Sequence, residues 1–335
     1  MRSSEIPLLE VENLTVEFPV NGRWIPVVEN ASFSVARGST VGLVGESGSG
    51  KSVTALAVLG LVQAQGGRIS AGSIRFEARE LVGLPEREYA AIRGARIGMI
   101  FQQPTRSLNP AYTVGEQIAE TLRHHRGLSH KAAWDRAVEM LDRVQIPDAA
   151  RRAHDYPHMF SGGMCQRVMI AIALVCEPDL LIADEPTTAL DVSVQAAILE
   201  LVRRLQAETG VSILFISHDL AVIAELCESI VVMYAGEVVE RSPAERLFLE
   251  PSHPYTEGLL GAIPRRGRSG PLVAIPGNVP AASAMPRGCR FHPRCAYAMT
   301  ACAEAAPQAL SAAAGIRFTR CIRADELQLA GIAIS

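Results

Sequence analysis

Apolar and polar residues alternate near the start of the chain, and this period of two predicts a half-buried β-strand over Leu8–Phe18. Asn21-Gly22 predicts a turn, after which Val27–Val35 returns as a second strand. Farther along, short apolar runs lack alternation, which is typical of parallel strands buried on both faces. Such runs are Thr40–Val44, Ile97–Phe101, Leu180–Ala183 and Val211–Ile216.

Helical periodicity separates these apolar runs. The helical stretches are Val53–Val62, Lys131–Val144, Met164–Cys176 and Val194–Thr209. Because strands and helices alternate, we expect an α/β fold with a mostly parallel sheet. Ile230–Tyr234 and Glu237–Glu240, joined by Ala235-Gly236, predict a hairpin. After about residue 246 proline and glycine recur and periodicity fades, which predicts a linker and a small separate module from about residue 280.

Length and charge narrow the classes of protein. A chain of 335 residues predicts two domains, or one large domain with an appendage. Its 32 basic and 35 acidic residues give a net charge of −3, so electrostatics offers no reason to expect nucleic-acid binding. The longest apolar stretch, Val168–Cys176, is about half of what a bilayer crossing needs. Met1–Glu10 contains acidic residues and no apolar core, which argues against a signal peptide. We therefore expect a cytosolic chain.

A glycine-rich segment follows the strand Thr40–Val44 and precedes a helix. Its sequence, Gly45-Glu-Ser-Gly-Ser-Gly-Lys51-Ser52, matches the phosphate-binding pattern G-x-x-x-x-G-K-[ST]. Backbone N–H groups of such a loop surround phosphates, the lysine reaches the β- and γ-phosphates, and the serine hydroxyl binds Mg²⁺. Lys51 is one of only two lysines, and the bulkier Arg cannot replace its compact ammonium there. A turn that binds nothing is the alternative, which the flanking strand and helix disfavour. The predicted phosphate-site residues are Gly45, Ser47, Gly48, Ser49, Gly50, Lys51 and Ser52.

Two carboxylates end the apolar run Leu180–Ala183. Asp184 is placed to hold Mg²⁺, and Glu185 to polarise an attacking water. Two surface acids are the alternative, but four apolar residues directly before them argue against it. Together with the glycine-rich loop, these carboxylates predict a nucleoside-triphosphate hydrolase.

Another anion site is predicted where the helix Met164–Cys176 begins. Ser161 is a good N-cap, and Gly162-Gly163 leaves backbone N–H groups open to an anion. A glycine-rich helix cap without a ligand is the alternative.

At this point the chain resembles the ATP-binding-cassette (ABC) ATPases. Ser161-Gly162-Gly163, with Asp184-Glu185 downstream, is similar to that family's signature motif followed by its catalytic strand. Four further marks follow the family's order. They are Phe18 as the aromatic that stacks on adenine, Gln102 as the Q-loop, Ala189-Leu190-Asp191 as the D-loop and His218 as the switch histidine.

The resemblance implies a P-loop NTPase core with an antiparallel β subdomain and a helical signature subdomain. It places the ABC domain at residues 1–245, the helical subdomain at about 103–175, a Pro/Gly-rich linker at 246–280 and a four-cysteine module at 281–335.

The resemblance also implies ATP and Mg²⁺ as cofactors and assigns roles within the site. Glu185, His218 and Gln102 are the implied catalytic residues, and Ser52, Gln102 and Asp184 the implied Mg²⁺ ligands. Residues that would act at the ATP of a partner subunit are Ser161, Gly162, Gly163 and Asp191. Since each site would need two subunits, we expect little ATPase activity from the chain alone.

Further segments resemble the oligopeptide/dipeptide permease branch. They are Phe101-Gln102-Gln103-Pro104, Ser107-Leu108-Asn109-Pro110, Tyr156-Pro157-His158 and His253-Pro254-Tyr255-Thr256 continuing to Ile263-Pro264. Met164 is usual in this branch, whereas Cys165 replaces its usual Arg. The implied function is ATP hydrolysis that drives uptake of dipeptides or oligopeptides. Nickel, glutathione or another small solute is an alternative cargo, and a soluble non-transport ABC ATPase or a non-hydrolysing regulatory subunit is a more remote alternative.

This function implies specific partners. They are two transmembrane permease subunits, an extracytoplasmic peptide-binding protein and a second ABC ATPase subunit. For the two ATPase subunits a heterodimer is favoured over a homodimer. No nucleic-acid partner is expected. We expect the segment from Gln102 to about Arg126 to contact a permease, and the chain to be peripheral on the cytoplasmic face of the inner membrane.

Four of the seven cysteines cluster near the end of the chain. Their spacing, C-x5-C-x6-C-x18-C, is formed by Cys289, Cys295, Cys302 and Cys321. A segment this small cannot form a stable hydrophobic core by itself, so we expect a cross-link between its cysteines. In a reducing cytosol this cross-link is expected to be a bound metal rather than a disulfide. A [4Fe–4S] cluster is the preferred interpretation, because zinc sites usually begin with closely spaced cysteine pairs. Zn²⁺ and free thiols stay open as alternatives, and His292 is a further possible ligand.

Overall fold

The computed structural model describes residues 6–188, 190–263, 275–305, 307, 310–311 and 317–332. Its contacts divide the chain into two units. The first comprises Met1–Val35, Thr40–Val82 and Phe215–Ser335, and the second comprises Ala36–Ser39 and Gly83–Leu214.

Strands and helices alternate through much of the described chain. The strands are β1 (Leu9–Val20), β2 (Arg23–Val35), β3 (Thr40–Val44), β4 (Arg68–Phe76), β5 (Arg79–Glu80), β6 (Ile97–Ile100), β7 (Leu180–Asp184), β8 (Ser212–Ser217), β9 (Ser229–Tyr234), β10 (Glu237–Pro243), β11 (Leu310–Ser311) and β12 (Phe318–Thr319). The helices are α1 (Lys51–Val58), α2 (Glu86–Ile92), α3 (Pro104–Ser107), α4 (Val114–Arg126), α5 (His130–Arg143), α6 (Ala149–Arg152), α7 (Gly162–Leu174), α8 (Val192–Thr209), α9 (Leu220–Leu226), α10 (Ala244–Leu249), α11 (Pro254–Gly261) and α12 (Thr300–Glu304).

The first unit contains an antiparallel sheet in the order β2-β1-β4-β5. Side chains of β1 alternate between buried and partly exposed over most of its length, which confirms the predicted half-buried strand. In the same unit β3 pairs in parallel with β9, and β9 forms an antiparallel hairpin with β10. The turn between them places both Ala235 and Gly236 at positive φ, as a two-residue hairpin turn requires. The predicted hairpin is therefore confirmed.

The second unit pairs β6 with β7 in parallel and carries helices α2 to α8. Every residue of β7 is buried, as expected for an apolar run without alternation. The chain returns to the first unit within β8, which is also fully buried. These observations confirm an α/β fold with both antiparallel and parallel strand pairing.

Two regions differ from the sequence-based expectation. Helix α1 is shorter than the predicted Val53–Val62, because Gly60 adopts a positive φ one residue after the C-cap Leu59. Residues 246–280, predicted as a linker, include part of α10 and all of α11. Helix α11 begins with Pro254 in its first turn, and the His253 side chain accepts a hydrogen bond from the Tyr255 N–H at 3.1 Å.

Candidate active site

The glycine-rich loop of the first unit connects β3 directly to α1. Gly45 has φ +155°, and a Cβ atom there would lie 2.1 Å from the Met233 carbonyl oxygen. Gly50, at φ +99°, immediately precedes the first helical residue, Lys51. The loop therefore needs glycine at both positions, and it ends at a helix N-terminus, where backbone N–H groups favour an anion.

Lys51 lies inside this loop. Its side chain is buried, and the ammonium donates hydrogen bonds to the carbonyl oxygens of Gly45 at 2.7 Å and Glu46 at 3.0 Å. Ser52 follows in the first turn of α1 and is partly exposed. The structure thus brings a compact cation, a hydroxyl and a glycine-rich backbone together, which is the chemistry of a phosphate site.

Two other predicted residues belong to the first unit. Phe18, near the end of β1, packs its ring edge against Gly67, where a Cβ atom would lie 2.8 Å from the ring. His218 is exposed between the end of β8 and Asp219. Asp219 caps α9 by accepting a hydrogen bond from the Ala221 N–H at 2.9 Å, so a helix start orders the backbone beside His218.

The second unit carries the predicted carboxylates. Asp184 is the last residue of β7 and is buried. Glu185 follows with φ +47°, a left-handed conformation that costs energy in a residue other than glycine and is often found at functional sites. Its carboxylate accepts a hydrogen bond from Gln102 Nε2 at 2.8 Å. The structure therefore brings together two of the residues expected to act in hydrolysis.

Thr188 is a residue of this site that the sequence analysis missed. Its hydroxyl donates to the same Glu185 carboxylate oxygen, at 2.9 Å. The signal was a hydroxyl residue three positions after the glutamate, in Glu185-Pro-Thr-Thr188. Gln102 and Thr188 together fix the orientation of the Glu185 carboxylate.

Ser161 caps helix α7 as predicted. Its hydroxyl oxygen accepts a hydrogen bond from the Met164 N–H at 3.4 Å, and Ser161 and Gly162 are exposed. A Cβ atom on Gly163 would lie 2.7 Å from the Val194 side chain, so this position also favours glycine. The helix start is therefore ordered and open on its surface.

The remaining motif residues of the second unit lie at the start of α8. Asp191 is exposed at the N-cap position of that helix, and Val192 after it is 86% exposed. Ala189, part of the same predicted motif, lies outside the described residues.

Cys165, the departure in the signature helix, is a buried packing residue. Its thiol donates a hydrogen bond to the Pro157 carbonyl oxygen at 3.5 Å, and burial raises the pKa of the thiol. A protonated, enclosed thiol is a poor nucleophile and a poor target for oxidation. Cys165 therefore contributes packing and no reactive thiol to this helix.

The four clustered cysteines, Cys289, Cys295, Cys302 and Cys321, all line one small cavity in the first unit. Burial, together with the nearby Cys302 and Cys321, raises the pKa of the Cys289 thiol to about 11. None of the seven cysteines forms a disulfide. Among the side chains that the structure describes, no three His, Cys, Asp or Glu residues are grouped closely enough to hold a single metal ion. His292, a further candidate, places its Nδ1 2.8 Å from the Cys289 carbonyl oxygen.

In the part of the chain that the structure describes, no helix combines the length and the apolar character needed to cross a bilayer.

A glycine-rich loop between a strand and a helix, with a lysine inside it, defines a P-loop nucleotide-binding protein. Comparison with known proteins narrows this class. Residues 28–188 match the ABC transporter family, and residues 239–302 match the C-terminal region of oligopeptide/dipeptide transporters.

The similar curated proteins span nearly the whole chain. A peptide import ATP-binding protein of Brucella abortus is 51% identical over 316 residues, which cover 94% of each chain. A second protein of that description from the same organism is 49% identical and covers 97% of this chain and 99% of its own length.

Among solved structures, the dimeric bacterial ABC transporter cassette MJ0796 is 30% identical with a TM-score of 0.62. It matches 70% of this chain and 98% of its own length. The cassette cbiO1 of Clostridium perfringens, part of the transporter complex cbiONQ, is 25% identical, also with a TM-score of 0.62, and covers 73% and 91% of the two chains. The chain belongs to the ABC transporter family and is an ATPase of that type.

Proposed function

We propose that this chain is the ATP-hydrolysing subunit of an importer that takes up peptides. The observation that carries the proposal is the combination of an ABC region at residues 28–188 with a transporter-specific C-terminal region at residues 239–302. Relatives that share both regions over nearly their whole length are described as peptide import ATP-binding proteins. The intact Gln102–Glu185 contact supports hydrolysis rather than a purely regulatory role.

Binding of ATP falls to the first unit. Backbone N–H groups of Gly45 to Gly50 and the N-terminus of α1 surround the phosphates, and Lys51 neutralises the β- and γ-phosphates. Phe18 offers an aromatic face for adenine, and His218 a ring nitrogen for the γ-phosphate.

The residues assigned to Mg²⁺ carry the oxygen atoms that this ion prefers as ligands. Ser52, Gln102 and Asp184 present hydroxyl, amide and carboxylate oxygens, which are the ligands that this hard cation prefers. When bound, Mg²⁺ neutralises charge on the phosphates.

Hydrolysis falls to Glu185 in the second unit. Its carboxylate takes the proton of the attacking water, whose oxygen bonds to the γ-phosphorus while the bond to the β–γ bridging oxygen breaks. ADP and inorganic phosphate leave. Because Gln102 and Thr188 both donate to one carboxylate oxygen, the other oxygen is held in a defined direction.

A second subunit completes each site in this proposal. Ser161 and Gly162 are exposed and Gly163 is partly exposed at the start of α7, which suits the γ-phosphate of a partner's ATP. The exposed side chains of Asp191 and Val192 supply polar and apolar contacts for the same partner. A related ABC transporter ATPase is the preferred partner, and a second copy of this chain is the alternative.

Contact with a permease falls to the second unit, after Gln102. A cleft of about 350 Å³ is lined there by Ala111, Tyr112, Thr113, Glu116, Trp134, His154 and Tyr156. Tyr112 is 53% exposed and Tyr156 40% exposed, so the cleft offers aromatic surface to a partner. We assign this cleft to a cytoplasmic segment of one of two permease subunits. The chain would then be peripheral at the cytoplasmic face of the inner membrane, with a peptide-binding protein on the opposite side.

The four-cysteine cavity suits a [4Fe–4S] cluster, with Zn²⁺ as the alternative. Four thiols on one cavity are the donor set of either group. The ligands would be the thiolates of Cys289, Cys295, Cys302 and Cys321. These thiols would lose their protons on binding, and the bound group would cross-link the module. An absorbance band near 400 nm with about four irons per chain is expected. A colourless sample with one zinc per chain would refute the cluster.

The transport proposal is tested in proteoliposomes that contain the chain, its permeases, its partner ATPase and the binding protein. We expect ATP-dependent uptake of a labelled di- or oligopeptide, and no uptake when the chain carries Glu185→Gln. Uptake of nickel or glutathione instead of peptides would refute the assigned cargo, and hydrolysis that does not respond to the permeases would refute the role in transport.

A further inference from the structure

Glu46, the second residue of the phosphate loop, is held by residues far along the chain. Its backbone N–H donates to the Tyr255 hydroxyl at 2.8 Å. Its carboxylate accepts two parallel hydrogen bonds from the Arg294 guanidinium, at 2.7 and 3.0 Å. Its carbonyl oxygen accepts from the Lys51 ammonium at 3.0 Å. One loop residue therefore connects the phosphate-binding lysine to the C-terminal region.

Arg294 is fixed before it reaches Glu46. Its side chain is 6% exposed, and its Nε donates to the Pro276 carbonyl oxygen at 2.7 Å. The Glu46 carboxylate raises the pKa of Arg294, so the guanidinium stays charged. A bidentate, charge-assisted pair with one partner immobilised fixes direction as well as distance.

Tyr255 is equally constrained. It is fully buried in α11, with its ring 4.7 Å from that of Tyr234 and 5.3 Å from that of Phe291. The hydroxyl that accepts the Glu46 N–H is thus positioned by a cluster of aromatic rings, of which Phe291 belongs to the cysteine module.

A second connection reaches the loop from the same module. Arg290 donates to the Ala235 carbonyl oxygen at 2.5 Å, and the N–H of Gly236 donates to the Ser49 carbonyl oxygen at 3.0 Å. Arg290 directly follows Cys289, and Arg294 directly precedes Cys295. The two arginines that brace the loop region are therefore neighbours of two cavity cysteines.

We propose that Arg294 and Tyr255 are positioning residues for ATP binding, and that the C-terminal region sets the nucleotide affinity of the phosphate loop through Glu46. If Glu46 shifts, a carbonyl oxygen that holds Lys51 shifts with it. The inference rests on the proposed function of residues 45–52 as the phosphate site. It adds to that function a control exerted from about 250 residues downstream.

The test is a calorimetric titration of the full-length chain with MgATP. Arg294→Gln and Glu46→Gln should each weaken binding about tenfold, which is about 1.4 kcal/mol. If the arginine acts only through Glu46, the double variant binds no more weakly than either single variant. Tyr255→Phe should weaken binding to a smaller extent, and Arg294→Lys should recover part of the loss.

Arg317→Gln is the matched control. Arg317 also forms an ion pair within the C-terminal region, with Glu250 at 3.5 Å, and donates to the Ser252 hydroxyl at 2.7 Å. We expect a lower unfolding temperature and wild-type affinity for MgATP. In the assembled transporter, Arg294→Gln should raise KM for ATP while kcat at saturation is retained.

The outcomes separate the two claims. If Lys51→Ala binds MgATP as tightly as the wild type, the assignment of the phosphate loop fails. If Lys51→Ala loses binding while Arg294→Gln and Glu46→Gln bind like the wild type, the phosphate loop stands and the positioning role is overturned. A loss of kcat at unchanged KM, or a weakening by Arg317→Gln equal to that by Arg294→Gln, would also overturn it.

Discussion

The two units use different kinds of atoms for their parts of the chemistry. In the proposed function, the first unit would bind phosphate with a glycine-rich backbone and one lysine, whereas the second would use a carboxylate that the Gln102 and Thr188 side chains orient. Backbone donors are insensitive to most substitutions, but an oriented carboxylate depends on each partner. We therefore expect the two functions, binding and hydrolysis, to be separable by mutation.

The largest effect is expected for Glu185→Gln, which should abolish hydrolysis and leave ATP binding intact. Loss of the general base should lower turnover in the assembled transporter about 10²- to 10⁴-fold, while MgATP still binds. Glu177→Gln is the matched control, because Glu177 also has a positive φ (+50°) but lies at the surface beside Arg136. Phosphate release measures the effect, and an equal loss in both variants would contradict the assigned base.

The metal site proposed for the cysteine module differs from the phosphate loop of the same unit, because all of its ligands would be side chains. Cys295→Ser should reduce bound metal to background and lower the free energy of unfolding by about 4 kcal/mol, as the staple is lost. Metal analysis and chemical denaturation measure both quantities. Cys165→Ala, at a buried thiol of the second unit, is the control and should leave metal content unchanged. Full metal content in Cys295→Ser would refute the ligand assignment.

Glu240 makes the stability of the first unit depend on pH. Its buried carboxylate accepts the Ser252 and His253 N–H groups at 2.8 and 2.9 Å, and burial raises its pKa from 4.5 to about 7. The folded chain therefore binds more protons than the unfolded chain between these values. This contribution to stability is present below pH 4.5 and is lost as pH rises through 7, by about 3 kcal/mol.

The measurement is urea denaturation at pH 5 and pH 8. Relative to the wild type, Glu240→Gln should lack about 2.5 kcal/mol of pH dependence between these two pH values, whereas Glu250→Gln, at an exposed position, should keep it. Identical pH dependence in the wild type and Glu240→Gln would show that another group is responsible.

The smallest effect concerns the caps of two helices in the second unit. Ser161→Ala and Ser129→Ala each remove a hydroxyl that accepts a backbone N–H at a helix start, and each should cost about 1 kcal/mol of unfolding free energy. Only Ser161→Ala should also lower turnover in the assembled transporter. Equal turnover in both variants would show that Ser161 only caps the helix and would refute its role at the partner's ATP.

Local patterns could be predicted from the sequence because their causes are local. The alternation in β1 and the turn at Ala235-Gly236 follow from neighbouring residues, and so does the phosphate loop. Helix α11 was missed because it has only 8 residues, and its His253 cap gives no periodic signal. The Arg294–Glu46 pair joins residues 248 positions apart, and no spacing rule connects them. Thr188 was missed although a hydroxyl three positions after Glu185 is visible in the sequence, because that spacing alone does not show that the hydroxyl reaches the carboxylate.

We propose that the first unit binds ATP and that the second hydrolyses it. The most direct test measures bound MgATP and released phosphate side by side in the assembled transporter that carries wild-type chain, Lys51→Ala or Glu185→Gln. We predict that Lys51→Ala weakens binding at this chain's loop by about two orders of magnitude, whereas Glu185→Gln binds ATP and releases almost no phosphate. Loss of binding in Glu185→Gln, or normal binding and turnover in Lys51→Ala, would contradict the account.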